Sequence, residues 1–202
     1  SAPYQNTADM RTRGWELSVN WRDQIGKVGY RVGFNLSDSQ SKIVKYNSNE
    51  SGILTSALSN GSTFWNYYEG KDLGEIWGYE YDGFYTVDDF TDTSSWKLKE
   101  GVPSIDGYNP RPGDVKFKNL MDDDRGTNMI SSGDNTVSNP GDRKVIGNNT
   151  PRYLYGITLG ANFKGFDLNV FMQGTGKRDA WIANNLKFPL YSDFKFIALY
   201  KD

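Results

Sequence analysis

A chain of 202 residues with no histidine and no cysteine lacks the side chains for Ser-His-Asp or Cys-His catalysis, for the usual zinc and haem sites, and for a disulfide framework. Its 23 lysines and arginines against 25 aspartates and glutamates leave a net charge of -2, without the basic excess of a nucleic-acid binder. The hydrophobic fraction is 37% while aromatics reach 15%, and Gly, Asn, Asp, Ser and Thr fill the gaps between short apolar stretches; that is the composition of an all-β protein with long polar loops.

Residues Ser1–Met10 lack the charged start and apolar centre of a signal peptide. No run approaches the roughly 18 apolar residues of a membrane helix. A mature chain, or an internal piece of a larger one, is expected. The first element in chain order is a strand over 14–22, with Trp15, Leu17, Val19 and Trp21 on one face and Glu16, Ser18, Asn20 and Arg22 on the other. A short polar turn, 23–27, leads to a second strand over 30–46. Its apolar face holds Tyr30, Val32, Phe34 and Leu36, and its other face Arg31, Gly33, Asn35 and Ser37. A third strand over 153–163 carries Ile157, Leu159, Ala161 and Phe163 opposite Gly156, Thr158, Gly160 and Asn162. After the tight turn Lys164-Gly165, a fourth over 166–174 carries Phe166, Leu168, Val170 and Met172 opposite Asp167, Asn169, Phe171 and Gln173.

Between the two hairpins lies a connection of about a hundred residues, rich in Gly, Asn, Asp and Trp, which is acceptable only as a structured cap. Short turns fall at one end of the sheet and long connections at the other, the asymmetry of an outer-membrane β-barrel. The sixteen positions of the apolar faces carry no charge. Aromatics sit at the strand ends: Trp21, Tyr30, Phe163 and Phe166 beside the turns, Trp15 and Tyr155 opposite, as in interfacial girdles. The alternative is a soluble, secreted β-sandwich that binds carbohydrate, its apolar faces packed on each other. Four strands cannot close a barrel, which takes about eight, so a barrel fragment is expected.

Several segments carry a resemblance. They are Arg13-Gly-Trp-Glu16; Gly70-Lys-Asp-Leu-Gly-Glu-Ile-Trp-Gly-Tyr79 followed by Asp82-Gly-Phe-Tyr85; Pro112-Gly-Asp-Val-Lys-Phe-Lys-Asn119; and Asn135-Thr-Val-Ser-Asn-Pro-Gly-Asp-Arg-Lys-Val-Ile-Gly-Asn148 running into Thr150-Pro-Arg-Tyr153. In this order they resemble the C-terminal part of the SusC/RagA family, TonB-dependent outer-membrane transporters that import glycans or, in some members, peptides. The resemblance covers most of residues 11 to 185. It implies antiparallel strands of a transmembrane β-barrel: a first hairpin in 1–46, an extracellular cap over 47–152, a second hairpin over 153–174, and the start of another external loop over 175–202. It also implies an outer-membrane location, an SusD-like surface lipoprotein as partner, an oligosaccharide or peptide ligand, and coupling to TonB through a plug region that this chain does not contain. No enzymatic activity and no cofactor are implied.

Many members of the family read Asp-Leu-Asn-Gly-Asp-Gly, like the start of a calcium loop, where this chain has Asn119-Leu-Met-Asp-Asp-Asp-Arg-Gly126. Asp122, Asp123 and Asp124 remain, but the alternating oxygen spacing is broken and Arg125 adds a positive charge, so a solvated acidic turn competes with a metal site. Trp65, Tyr67, Trp77 and Trp96 are the candidates for stacking on a ligand, against the bland role of filling the cap's core. Glu75, Glu80, Asp82, Asp88 and Asp89 lie near these rings, but nothing singles out an acid and a nucleophile among them. Gly74 and the turn Asn139-Pro-Gly-Asp142 are read as backbone devices of the cap.

Overall fold

The computed structural model describes residues 8–57, 63–105, 107–121 and 128–180. They fold almost wholly into strands. β1 (Ala8–Ile25) and β2 (Val28–Tyr46) form a long hairpin. Ten short strands follow: β3 (Thr55–Ala57), β4 (Thr63–Trp65), β5 (Glu75–Tyr79), β6 (Tyr81–Phe84), β7 (Phe90–Asp92), β8 (Lys97–Leu98), β9 (Ser104–Ile105), β10 (Val115–Phe117), β11 (Met129–Ile130) and β12 (Arg143–Asn148). β13 (Arg152–Phe163) and β14 (Phe166–Lys177) form the second long hairpin.

The four long strands make one antiparallel sheet in the order β1-β2-β13-β14. Its register aligns the apolar positions in rows: Val19, Phe34, Ile157 and Met172 in one, Trp21, Val32, Leu159 and Val170 in the next. A slip of one residue on any strand would break these rows, because neighbouring residues face opposite ways. Both hairpins close with two residues. Lys164 and Gly165 have φ of 47° and 85°, as a type I′ turn demands, and Gly26 has φ of 60° between Ile25 and Val28.

The ladders outrun the alternation. β1 extends below Arg22 and above Gly14, because ladder hydrogen bonds need no apolar side chains. At the upper end Arg152 clamps Asp38, with Nε and Nη2 each 2.5 Å from a carboxylate oxygen. This bidentate pair joins β2 to β13 where the cap begins.

Trp15, Leu17, Val19 and Trp21 are between 48% and 60% exposed, and Phe166 is 80% exposed. A sandwich would need a second sheet over this face, and no described element covers it. The described ladder is open: β1 and β14 each pair on one side only.

The cap consists of small ladders. β3–β4, β5–β12, β6–β10 and β7–β8 are antiparallel, while β9 and β11 pair parallel. Its interior holds Leu54, Tyr68, Tyr85, Phe90 and Ile130. Above Asp38 the β13 side of β2 is taken over by the Gly70–Leu73 segment: Gly70 N–H donates to Ile43 O, Ile43 N–H to Lys71 O and Leu73 N–H to Ser41 O, all within 2.9 Å. Gly74 follows with φ of 86°, and a Cβ there would collide with the side chains of Asn148, Asn149 and Thr150. Only glycine allows β12's exit to pack so closely on this turn.

Candidate functional site

Two surfaces hold candidate functional residues: the aromatic part of the cap and the polar face of the long sheet. In the cap the four rings divide. Trp65 and Tyr67 are exposed, on either side of Asn66. Asn49 fixes the Tyr67 backbone by donating to its carbonyl at 2.9 Å, and Tyr46 meets the Tyr67 ring edge-on at 6.2 Å. Asn66 donates to Ser56 Oγ at 2.8 Å, which turns its amide to the face of this ladder opposite Trp65. Trp77 instead donates its indole N–H to Tyr68 Oη at 3.0 Å and lies beside Glu75. Trp96 packs edge-on against Phe90 at 5.4 Å. Trp77 and Trp96 thus serve the cap's interior, while Trp65 and Tyr67 are exposed, Tyr67 with Tyr46 and the Lys71 ammonium against part of its ring.

Three residues that the sequence did not single out organise this region. Lys71 is buried, donates to Asn66 O at 2.9 Å and lies 5.2 Å from the Tyr68 ring and 5.7 Å from the Tyr67 ring. Burial pulls its ammonium pKa down, and the two ring faces offset part of that cost. Asp142 is fully buried. Its carboxylate accepts from the backbone of Leu120 at 2.6 Å, Met121 at 3.0 Å and Ser131 at 2.7 Å. Asn119, with its amide nitrogen turned inward, adds a donor at 2.7 Å. Arg143 beside it holds Ser132 O and Pro140 O. The Asn-Pro-Gly-Asp turn chemistry pointed to this place, though not to the carboxylate's depth.

Three of the five candidate acids for hydrolysis are engaged in holding the cap. Glu75 accepts from Tyr68 Oη at 2.5 Å, and burial followed by this bond drives the Tyr68 pKa upward. Asp89 accepts from Thr86 N–H at 2.7 Å. Glu80 accepts from Lys118 at 2.8 Å and from Lys144, tying the β6–β10 ladder to β12. These two lysines hold the Glu80 carboxyl down at about 2 against an ordinary 4.5. A depressed folded-state pKa contributes stability that is complete above the unfolded value. The stabilisation by Glu80 is therefore expected in full above about pH 4.5 and to fade as pH falls toward about 2. Amide exchange at Lys118, followed with pH, should show this loss, and Glu80→Gln should abolish it; an identical pH profile in the variant would remove Glu80 from the account. Among the described residues no group of three or more acids could hold a metal ion, and Asp122, Asp123 and Asp124 lie outside the described residues.

The polar face of the sheet has its own rows: Arg22, Arg31, Gly160 and Asn169 in one, Gln24, Gly29, Asn162 and Asp167 in the next. The Arg31 side chain crosses Gly160, where a Cβ would collide with it, and its guanidinium donates to Asn169 Oδ1. Glycines on the two central strands thus let long polar side chains lie flat on the sheet. The result is a shallow groove of about 580 Å³ lined by Arg22, Gln24, Arg31, Asn162, Asp167 and Asn169. Such a surface is wetted, and it can exchange hydrogen bonds with a polar solute.

No protein-family model matches the chain. The chain is similar to the TonB-dependent receptor P3 of Formosa agariphila, 28% identical over 180 residues, which are 87% of this chain and 16% of that protein. The chain thus spans only a small part of the length of the curated relative it matches. The similarity is to a receptor and not to an enzyme.

Proposed function

We propose that this chain is a wall segment and extracellular cap of a TonB-dependent outer-membrane transporter of the SusC/RagA type, which takes up oligosaccharides or peptides. The observation that carries this reading is the apolar face, aligned in rows across all four strands, uncovered, and backed by a polar face. Lipid on one side and water on the other satisfy such a sheet; water on both sides does not. On β1 the apolar run from Trp15 to Ile25, broken by Asp23, takes ten residue steps, about 26 Å of height at a tilt near 40°, close to the apolar band of outer-membrane barrels. The free edges of β1 and β14 pair with further strands of the same barrel.

In this reading Trp65 and Tyr67 face the incoming ligand on the external rim. Their rings stack on a sugar or peptide side chain. An SusD-like lipoprotein covers the rim from outside, and TonB acts from the periplasm through a plug outside this chain. Arg22, Arg31 and Asn169 line the lumen. The test is nitroxide labelling of Val19→Cys and Asn20→Cys in the complete receptor in lipid bilayers. Val19 is expected to be relaxed strongly by oxygen dissolved in lipid, and Asn20 by a water-soluble nickel complex. Equal responses at the two sites would overturn the wall assignment.

A further inference from the structure

We infer that the outward face of β1 and β2, just above the apolar belt, holds the phosphate headgroup of an anionic lipid; this inference rests on the wall reading above. Arg13 and Arg11 share the face of Trp15, because the β1–β2 register is regular from Met10 downward. At about 3.4 Å per residue and a tilt near 40°, they stand roughly 5 and 10 Å above the Trp15 position. Aromatic rings mark the boundary of the hydrocarbon, so the two guanidinium groups fall at headgroup height. Gln40 and Lys42 are their cross-strand partners on β2.

Together with Val44 and Asp72 these residues line a groove of about 300 Å³. Asp72 is the acid of the groove: Gln40 Nε2 donates to its Oδ2 at 2.9 Å, and Lys42 Nζ lies 3.7 Å from its Oδ1, which accepts no hydrogen bond from the described residues. Asp9 and Lys45, one row higher, face each other across the ladder as opposite charges. Arg11 and Arg13 have no hydrogen bond or ion pair to any described residue. Two planar, fully charged forks on successive rows of one face, lining one groove beside a lipid-facing surface, match the three oxygens of a phosphate monoester, which a guanidinium grips in bidentate fashion. Scattered surface charges would gain nothing from sharing a groove and a face. Above the belt two described carboxylates share this face, Asp72 in the groove and Asp9 one row above it, against the four basic residues Arg11, Arg13, Lys42 and Lys45, so the balance of charge around the groove stays positive.

The experiment uses the complete receptor in phosphatidylcholine nanodiscs containing a minor fraction of either phosphatidic acid or diacylglycerol, which differ only in the phosphate. Lipid retained by the released receptor is counted by native mass spectrometry. Phosphatidic acid is expected to be retained and diacylglycerol not. The triple variant Arg11→Gln, Arg13→Gln, Lys42→Gln should weaken retention roughly 100-fold, given the attraction each basic residue adds near an anionic surface. Lys164→Gln, at the far turn, should leave retention unchanged. Millimolar inorganic phosphate should not displace the lipid; full displacement would make this a free-anion site and overturn the lipid assignment. A nitroxide at Val19 in the same nanodiscs separates the two failures. Val19 in lipid with undiminished retention in the triple variant overturns the headgroup site alone, whereas Val19 away from lipid overturns the wall reading and the headgroup site together.

Discussion

Leu159→Arg is expected to destabilise the folded wall by about 2–4 kcal/mol, whereas Thr158→Arg, one residue earlier, is expected to cost less than about 1 kcal/mol. Leu159 sits in the row with Trp21, Val32 and Val170, midway along the apolar run of β13. In the proposed wall a guanidinium there would enter the hydrocarbon, with only the bending of its own stem to bring it toward water. Thr158 shares a row with Gly33 and Phe171 on the opposite face, where Arg22 and Arg31 already lie one row away. The measurement is denaturant unfolding of the receptor from liposomes, together with the amount of folded receptor in the outer membrane. Equal cost at the two positions would mean that the faces do not differ in their surroundings, and the wall assignment would be lost with it.

Asp142→Ala is expected to destabilise the cap by about 3–5 kcal/mol, since three backbone N–H groups lose their acceptor in a site closed to water and each orphaned donor costs about 1–3 kcal/mol before relaxation. Asp142→Asn retains one acceptor oxygen and turns an NH₂ toward the donors, so a loss of similar sign and smaller size is expected. The effect should be confined to the cap. Leu120, Met121 and Ser131 should lose amide-exchange protection, while the rows of β2 and β13 keep theirs. Unchanged protection at Ser131 would show that water replaces the carboxylate. Protection lost equally in the long strands would show that cap and wall unfold as one unit.

The long sheet was legible in the sequence because alternation reports directly on side-chain direction. Trp15, Leu17, Val19 and Trp21 fix one face with no knowledge of what lies beyond it. The strand ends were not legible: Asp23 and Gln24 continue the ladder through backbone hydrogen bonds that leave no apolar trace. The cap was legible as a structured connection and no further. Its strands, two to six residues long, are too short for a period to be counted, and the parallel β9–β11 pair joins segments some twenty-five residues apart. Asp142 could not be told from the other acids, because its burial is produced by chain at 119–121 and 131. The same holds for the rings. Trp65 and Trp77 look alike in sequence, and only the hydrogen bond to Tyr68 separates an inward indole from an outward one. Lys71 gave a fainter signal: a lysine inside the Gly70–Gly74 turn, next to two tyrosines.

The attachment of the Gly70–Leu73 segment to β2 bears on how an opening would be gated in the proposed receptor. A cap held only by its two chain ends could swing aside on a hinge. This one is stitched into the wall between those ends, by three backbone bonds above the Asp38–Arg152 clamp. Tilting it away would break the upper edge of the sheet itself, so in the proposed receptor the rim is expected to stay still while cargo passes, with any moving door hung on another part of the assembly.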